Sequence, residues 1–190
     1  HPVEVSRYGQ AVLDAVAGRC EQLDLAIPRL IVEPGRAIVG PSTFTLYEVG
    51  TVKPLPGLST WVSVDGGMSD NIRPALYDAE HEVALASRTS GEPLRAVKIV
   101  GKHCESGDLV RDHASLPQDV QPGDLIAVAA TGAYTASMAS NYNRLPRPAA
   151  VLVQGGHART LLKRETLDDL VRRDVPLEEP PPAHDLGARR

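Results

Sequence analysis

The sequence predicts a mostly β domain that follows a single helix–strand step of an α/β layer. Three observations predict it. Apolar residues recur at helical spacing near the start, and a short branched run, Leu30-Ile31-Val32, follows them. From Phe44 onward, short β-branched runs alternate with turns. Sixteen glycines and sixteen prolines supply those turns, while one Trp, one Phe and five Tyr leave a core of Val, Leu, Ile and Ala.

Each element follows from its residues. Val5–Leu25 reads as a helix because Tyr8, Ala11, Val12, Ala15 and Val16 share one face. Leu30–Val32 reads as a buried strand ending in the polar loop Glu33-Pro34-Gly35-Arg36. Strands are expected at Phe44–Val52, Thr60–Val64, Val83–Ser87, Arg95–Val100 and Leu125–Ala130. Tyr134–Asn141 is a short helix candidate after Thr131-Gly132. Ala150–Gln154 and Ala158–Lys163 flank Gly155-Gly156-His157 as a hairpin. Thr166–Arg173 is a last helix, with Thr166 as N-cap and Asp169 in the capping-box position. The Pro- and Glu-rich segment 176–190 reads as a disordered tail. The divisions are therefore residues 1–42, 43–175 and 176–190.

Composition narrows the function. The 190 residues carry 20 Lys+Arg against 24 Asp+Glu, so a nucleic-acid partner is not expected. The longest apolar run, Leu125–Ala130, is far short of the ~20 residues of a membrane span. Cys20 and Cys104 form neither a disulfide framework nor a metal-ligand pattern, which fits a reducing, cytoplasmic setting. No basic-then-apolar leader opens the chain, and it starts without Met, as a processed protein or a piece of a longer one would. Gly-x-Ser-x-Gly, Walker and His-Glu-x-x-His patterns are absent from the sequence.

Four segments can carry chemistry. Glu33-Pro34-Gly35-Arg36 stands where α/β layers bind ligands: Gly admits an anion to the backbone and Arg offers a fork for carboxylate or phosphate. A surface turn with an ion pair fits the same four residues. Arg73 and Tyr77, four apart with Pro74 suited to the first turn, face one ligand if the segment is helical; an exposed Arg and a half-buried Tyr are the alternative. Cys104, in the polar loop Gly101–Asp108, is placed to donate a proton, whereas Cys20 on the first helix reads as structural. Adjacent His103 does not suit a protease dyad, whose base arrives from elsewhere in the fold. Tyr134, at a strand-to-helix junction, covers a ligand or fills the core. His81, His113, His157 and His184 lack metal-ligand spacing and read as surface residues, and no metal site is expected.

In this order, the motifs Glu33-Pro34-Gly35-Arg36, Asp65-Gly66-Gly67, Arg73-Pro74-x-x-Tyr77, Cys104-Glu105-Ser106-Gly107-Asp108 and Gly132-Ala133-Tyr134 resemble the diaminopimelate decarboxylases. These are fold-type III enzymes dependent on pyridoxal 5'-phosphate (PLP), and the likeness spans roughly residues 30–145. The resemblance implies a C-terminal β-sandwich or Greek-key barrel over 43–175. Before it, over 1–42, would stand the last helix–strand step of a PLP-binding (β/α)8 barrel. It implies decarboxylation of meso-2,6-diaminopimelate to L-lysine. Cys104 would be the catalytic proton donor. Glu33, Pro34, Gly35, Arg36 and Tyr134 would contact PLP; Arg36, Arg73, Tyr77, Glu105 and Tyr134 would bind the amino-acid substrate. The Cys104-Glu105 loop would enter the partner's site in a homodimer.

One departure from the family pattern matters. The four lysines, Lys53, Lys98, Lys102 and Lys163, do not stand where the family places its Schiff-base lysine, so this chain by itself is expected to be inactive. Ornithine/arginine and carboxynorspermidine decarboxylases share the Cys-acid loop, but Cys-Glu-Ser-Gly-Asp with Arg73-Pro74-x-x-Tyr77 favours diaminopimelate. A non-catalytic β binding module is the reading from another class; the retained Cys104 and Glu105 argue against it.

Overall fold

A computed structural model describes residues 4–57 and 59–175. The expected disordered tail, 176–190, and His184 lie outside the described residues. The chain divides into two compact units, His1–Met138 and Ala139–Arg190.

The first unit is built on a six-stranded sheet. Its strands are β1 (Thr45–Lys53), β2 (Thr60–Val64), β3 (Val83–Leu85), β4 (Leu94–Val100), β5 (Leu109–Pro117) and β6 (Leu125–Val128), in the order β3-β6-β1-β2-β4-β5. All neighbours are antiparallel except β2 and β4, which run parallel. A parallel pair needs a crossover. Here the crossover carries β3 and the short helix α3 (Arg73–Tyr77), so the segment with Arg73 and Tyr77 is tied at both ends to core strands. The edge strands β3 and β5 lie against each other, and the sheet curls into a nearly closed barrel.

Alternation explains the core. Val62 and Val64 on β2, Val97 and Ile99 on β4, and Ile126 and Val128 on β6 point inward every second residue, joined by Tyr47, Val49 and Leu116. Strand β5 was not expected, because Asp112 and His113 interrupt its pattern. Val110, Ala114 and Leu116 are buried, and a shift in the β4–β5 register between Val97 and Ile99 leaves Asp112 to pair with Lys98, whose ammonium also lies over the Trp61 ring. The other strands fall within a few residues of expectation.

The N-terminal segment departs further. Helix α1 (Val5–Gln22) forms as expected and buries Cys20. Leu30–Val32, expected as a buried strand, has no sheet partner; Ile31 is 77% and Val32 68% exposed. One helix–strand step offers no neighbouring strand to hydrogen-bond with, so β propensity alone does not make a strand. The expected loop at Glu33–Arg36 instead enters a second short helix, α2 (Gly35–Val39), which runs into a 3-10 turn, Gly40–Ser42.

The second unit is a hairpin of β7 (Ala150–Gln154) and β8 (His157–Leu162), turning through Gly155 and Gly156. Helix α5 (Leu167–Val171) follows, and its capping box is formed: Thr166 and Asp169 each accept from the other's backbone N–H. Glu165 holds this unit together by accepting from Asn141 Nδ2 (2.6 Å), Arg147 N (2.9 Å) and Arg147 Nε (2.8 Å).

Candidate functional site

Four of the residues singled out in the sequence meet in the first unit. Pro74 in the first turn of α3 is compatible with helix, and the single turn carries Arg73 and Tyr77 on one face. The Arg73 guanidinium lies 5.4 Å from the Tyr77 ring centre and 5.5 Å from that of Tyr134. Both distances are within cation–π range, so two rings hold the guanidinium. Tyr134 stands just before helix α4 (Thr135–Met138), at a left-handed φ of 64°. Arg36, Arg73 and Tyr77 line one cleft of about 570 Å³.

Backbone contacts set this arrangement. Gly132 N–H donates to the Gly40 carbonyl (3.1 Å) and Thr131 N–H to the Thr43 carbonyl (3.0 Å). A Cβ on Gly132 would stand 1.9 Å from the Val39 carbonyl oxygen, so only glycine fits. The Tyr134 loop is thereby seated on the end of the segment that carries Arg36.

Among the described residues, no carboxylate pairs with the Arg36 or Arg73 side chain. Glu80 on its wall is taken up by Arg111 at 3.1 Å. Planar guanidinium forks suit carboxylate or phosphate.

His81 also lines the cleft, and sequence reasoning misplaced it. It is buried, not a surface residue, with Nδ1 2.8 Å from the Ala129 carbonyl. A carbonyl only accepts, so Nδ1 carries the hydrogen. Its partner is 48 residues away, which no local pattern reveals. His113 and His157 are exposed, as expected.

Cys104 and Glu105 are exposed on a different loop, between β4 and β5, and do not line the cleft. That loop is closed from within. Asp108 accepts from His103 N (2.7 Å) and His103 Nδ1 (2.8 Å) through Oδ2, and from Met68 N (2.7 Å) through Oδ1. Lys102 N–H donates to the Gly66 carbonyl at 3.0 Å. A Cβ on Gly67, whose φ is +151°, would lie 2.4 Å from Asp108 Oδ1. Asp65-Gly66-Gly67 is therefore the seat of the cysteine loop. Beneath it, Asp70 accepts from Gly67 N (3.0 Å), and burial pushes its carboxyl above the usual carboxylate range. The Tyr47 hydroxyl is pushed up by burial and by the nearby Asp70. Glu33 and Pro34, ahead of α2, and Gly35, its first residue, are exposed and do not line the cleft.

The residues present fit part of a PLP site. Two guanidiniums and a tyrosine ring provide for an anionic, aromatic group. None of the four lysines lines the cleft, and Lys98 is engaged by Asp112. No cluster of three or more His, Cys, Asp or Glu suited to a metal occurs among the described residues, and no described helix is long and apolar enough to cross a membrane.

The nearly closed sheet matches a known domain. A family profile for the C-terminal sheet domain of pyridoxal-dependent decarboxylases covers residues 37–132, just over half of the chain, and the chain belongs to that family. Diaminopimelate decarboxylases are among its relatives. It is 56% identical over 164 residues to that of Mycobacterium leprae, covering 84% of this chain and 35% of the relative. The solved diaminopimelate decarboxylase of M. jannaschii in co-complex with L-lysine is 35% identical with a TM-score of 0.76, over 86% of this chain and 37% of that one. The Helicobacter pylori enzyme, complexed with L-lysine, is 37% identical with a TM-score of 0.72, over 90% and 40%. The chain thus spans well under half the length of these relatives.

Proposed function

We propose that this chain is the C-terminal part of a PLP-dependent diaminopimelate decarboxylase, a cytoplasmic homodimer that converts meso-2,6-diaminopimelate to L-lysine and CO2. The observation that carries the reading is Arg73 held between Tyr77 and Tyr134 at a cleft shared with Arg36. Two such forks suit a substrate with two carboxylates, whereas ornithine carries only one.

Residues 1–42 form the end of the PLP-binding barrel and 43–175 the β domain. Exposed Ile31 and Val32 suit the first of these, since a barrel strand is buried by its neighbours. Glu33 would pair with the ring nitrogen of PLP, and Pro34, Gly35 and Arg36 would hold its phosphate. PLP, when bound, supplies the electron sink that accepts the pair left as CO2 departs. Arg36, Arg73 and Tyr77 fix the substrate carboxylates, and Tyr134 closes over cofactor and substrate. Glu105 takes the distal ammonium. Cys104 gives its Sγ proton to the carbon that has lost CO2, in the partner subunit's site, away from bulk water.

The test joins this chain to the preceding part of its M. leprae relative and measures lysine release from meso-diaminopimelate and amine release from ornithine. Lysine release that disappears in Arg73→Ala is expected. Preference for ornithine, or no decarboxylation by a folded, PLP-loaded protein, would overturn the reading.

A further inference from the structure

We infer that His103 is a positioning residue for Cys104, acting through a buried clamp with Asp108. The inference rests on the proposed role of Cys104. The side chains of His103 and Asp108 are 0% and 2% exposed. Between them, Cys104, Glu105, Ser106 and Gly107 are all exposed. The loop therefore has a solvent-facing crown on a buried base.

The base is more elaborate than turn closure requires. Gly101 N–H donating to the Asp108 carbonyl at 3.0 Å already joins the loop ends. The Asp108 carboxylate already takes the backbone N–H groups of His103 and Met68. Burying an imidazole there costs desolvation that an apolar side chain would avoid. What the ring adds is a second anchor on the residue directly before Cys104. With its backbone N–H and its Nδ1 both on Asp108 Oδ2, His103 holds the chain entering Cys104 at main chain and side chain together. A Cβ on Gly101 would stand 2.1 Å from that same oxygen, so the loop packs tightly around the clamp. The thiol is thereby carried on a fixed stem rather than a mobile loop tip.

The test uses the holoenzyme and four variants: His103→Ala, His103→Asn, Cys104→Ala and the double variant His103→Ala with Cys104→Ala. An Asn amide nitrogen stands near the place of Nδ1 and restores the bond to Asp108. His103→Ala is expected to lower kcat about 10- to 100-fold, since small misplacements of a reacting group cost that much. KM should stay within about twofold, and His103→Asn should recover most of the rate. In a Cys104→Ala background, His103→Ala should cost nothing further, because it acts through the thiol. An equal loss in that background, or no difference between His103→Ala and His103→Asn, would overturn the inference. A second readout needs no turnover: the rate at which iodoacetamide labels Cys104. It should change in His103→Ala and return in His103→Asn, and an unchanged rate also overturns the clamp. A wild-type holoenzyme that releases no lysine would sink the proposed function instead, and the labelling rates alone would then judge the clamp.

Discussion

Gly132 lies so close to Val39 that a Cβ would stand 1.9 Å from the carbonyl oxygen. This contact seats the Tyr134 loop on the Arg36 segment. Gly132→Ala must push the two apart. The variant should lose about 1–3 kcal/mol of stability, as overpacked sites do. Urea unfolding measures the loss, and unchanged stability would show that the two segments are free to separate.

Arg73→Lys keeps the charge and loses the planar fork that two rings hold. In the holoenzyme we expect KM for diaminopimelate to rise roughly tenfold, from lost stacking and bidentate contact. Steady-state kinetics decides it; a KM equal to wild type would mean that charge alone suffices.

Glu165 gives a pH prediction for the second unit. Hydrogen bonds from the Arg147 guanidinium and backbone hold its carboxyl down to about 2. A depressed carboxylate adds stability above its unfolded value, and the contribution is lost as pH falls through the folded one. The window therefore runs from just above 4 down to about 2. The pair is partly exposed, so the effect should be below about 1 kcal/mol. Two-dimensional NMR of Asn141 and Arg147 should show them released together in this window, and Glu165→Gln should abolish the transition.

Asp70 works in the opposite sense. Burial raises its carboxyl, so the folded state keeps a proton that the unfolded chain releases. Stability from this group is then present at low pH and is lost as pH rises from the unfolded to the folded value. Asp70→Asn keeps an oxygen for Gly67 N–H and removes the titration. Melting curves between pH 4 and pH 8 should fall less steeply for the variant than for the wild type.

Much of the molecule was legible in the residues where the information was local. The capping box at Thr166, the hairpin at Gly155-Gly156 and the alternating strands β2, β4 and β6 depend on near neighbours. Arg73 and Tyr77 were legible together because one helical turn separates them. Illegible features depend on distant partners. Strand β5 is masked by Asp112, whose charge is met by Lys98 across the sheet. His81 is buried by a carbonyl that belongs to another strand end. Leu30–Val32 erred the other way: its composition is that of a strand, yet a strand exists only where something pairs with it.

The placement of β1 between β2 and β6 also governs the order of assembly. The β1–β2 and β4–β5 pairs join segments close in sequence, whereas Thr45 meets Thr131 across 86 residues. During synthesis, the middle strand must leave one side unpaired until the chain has been made past Val128. Loop closure of this length is slow, and an open strand invites wrong pairings while it waits. The cleft, with Arg36 before β1 and Ala133 after β6, can therefore be completed only after the last strand of the sheet arrives.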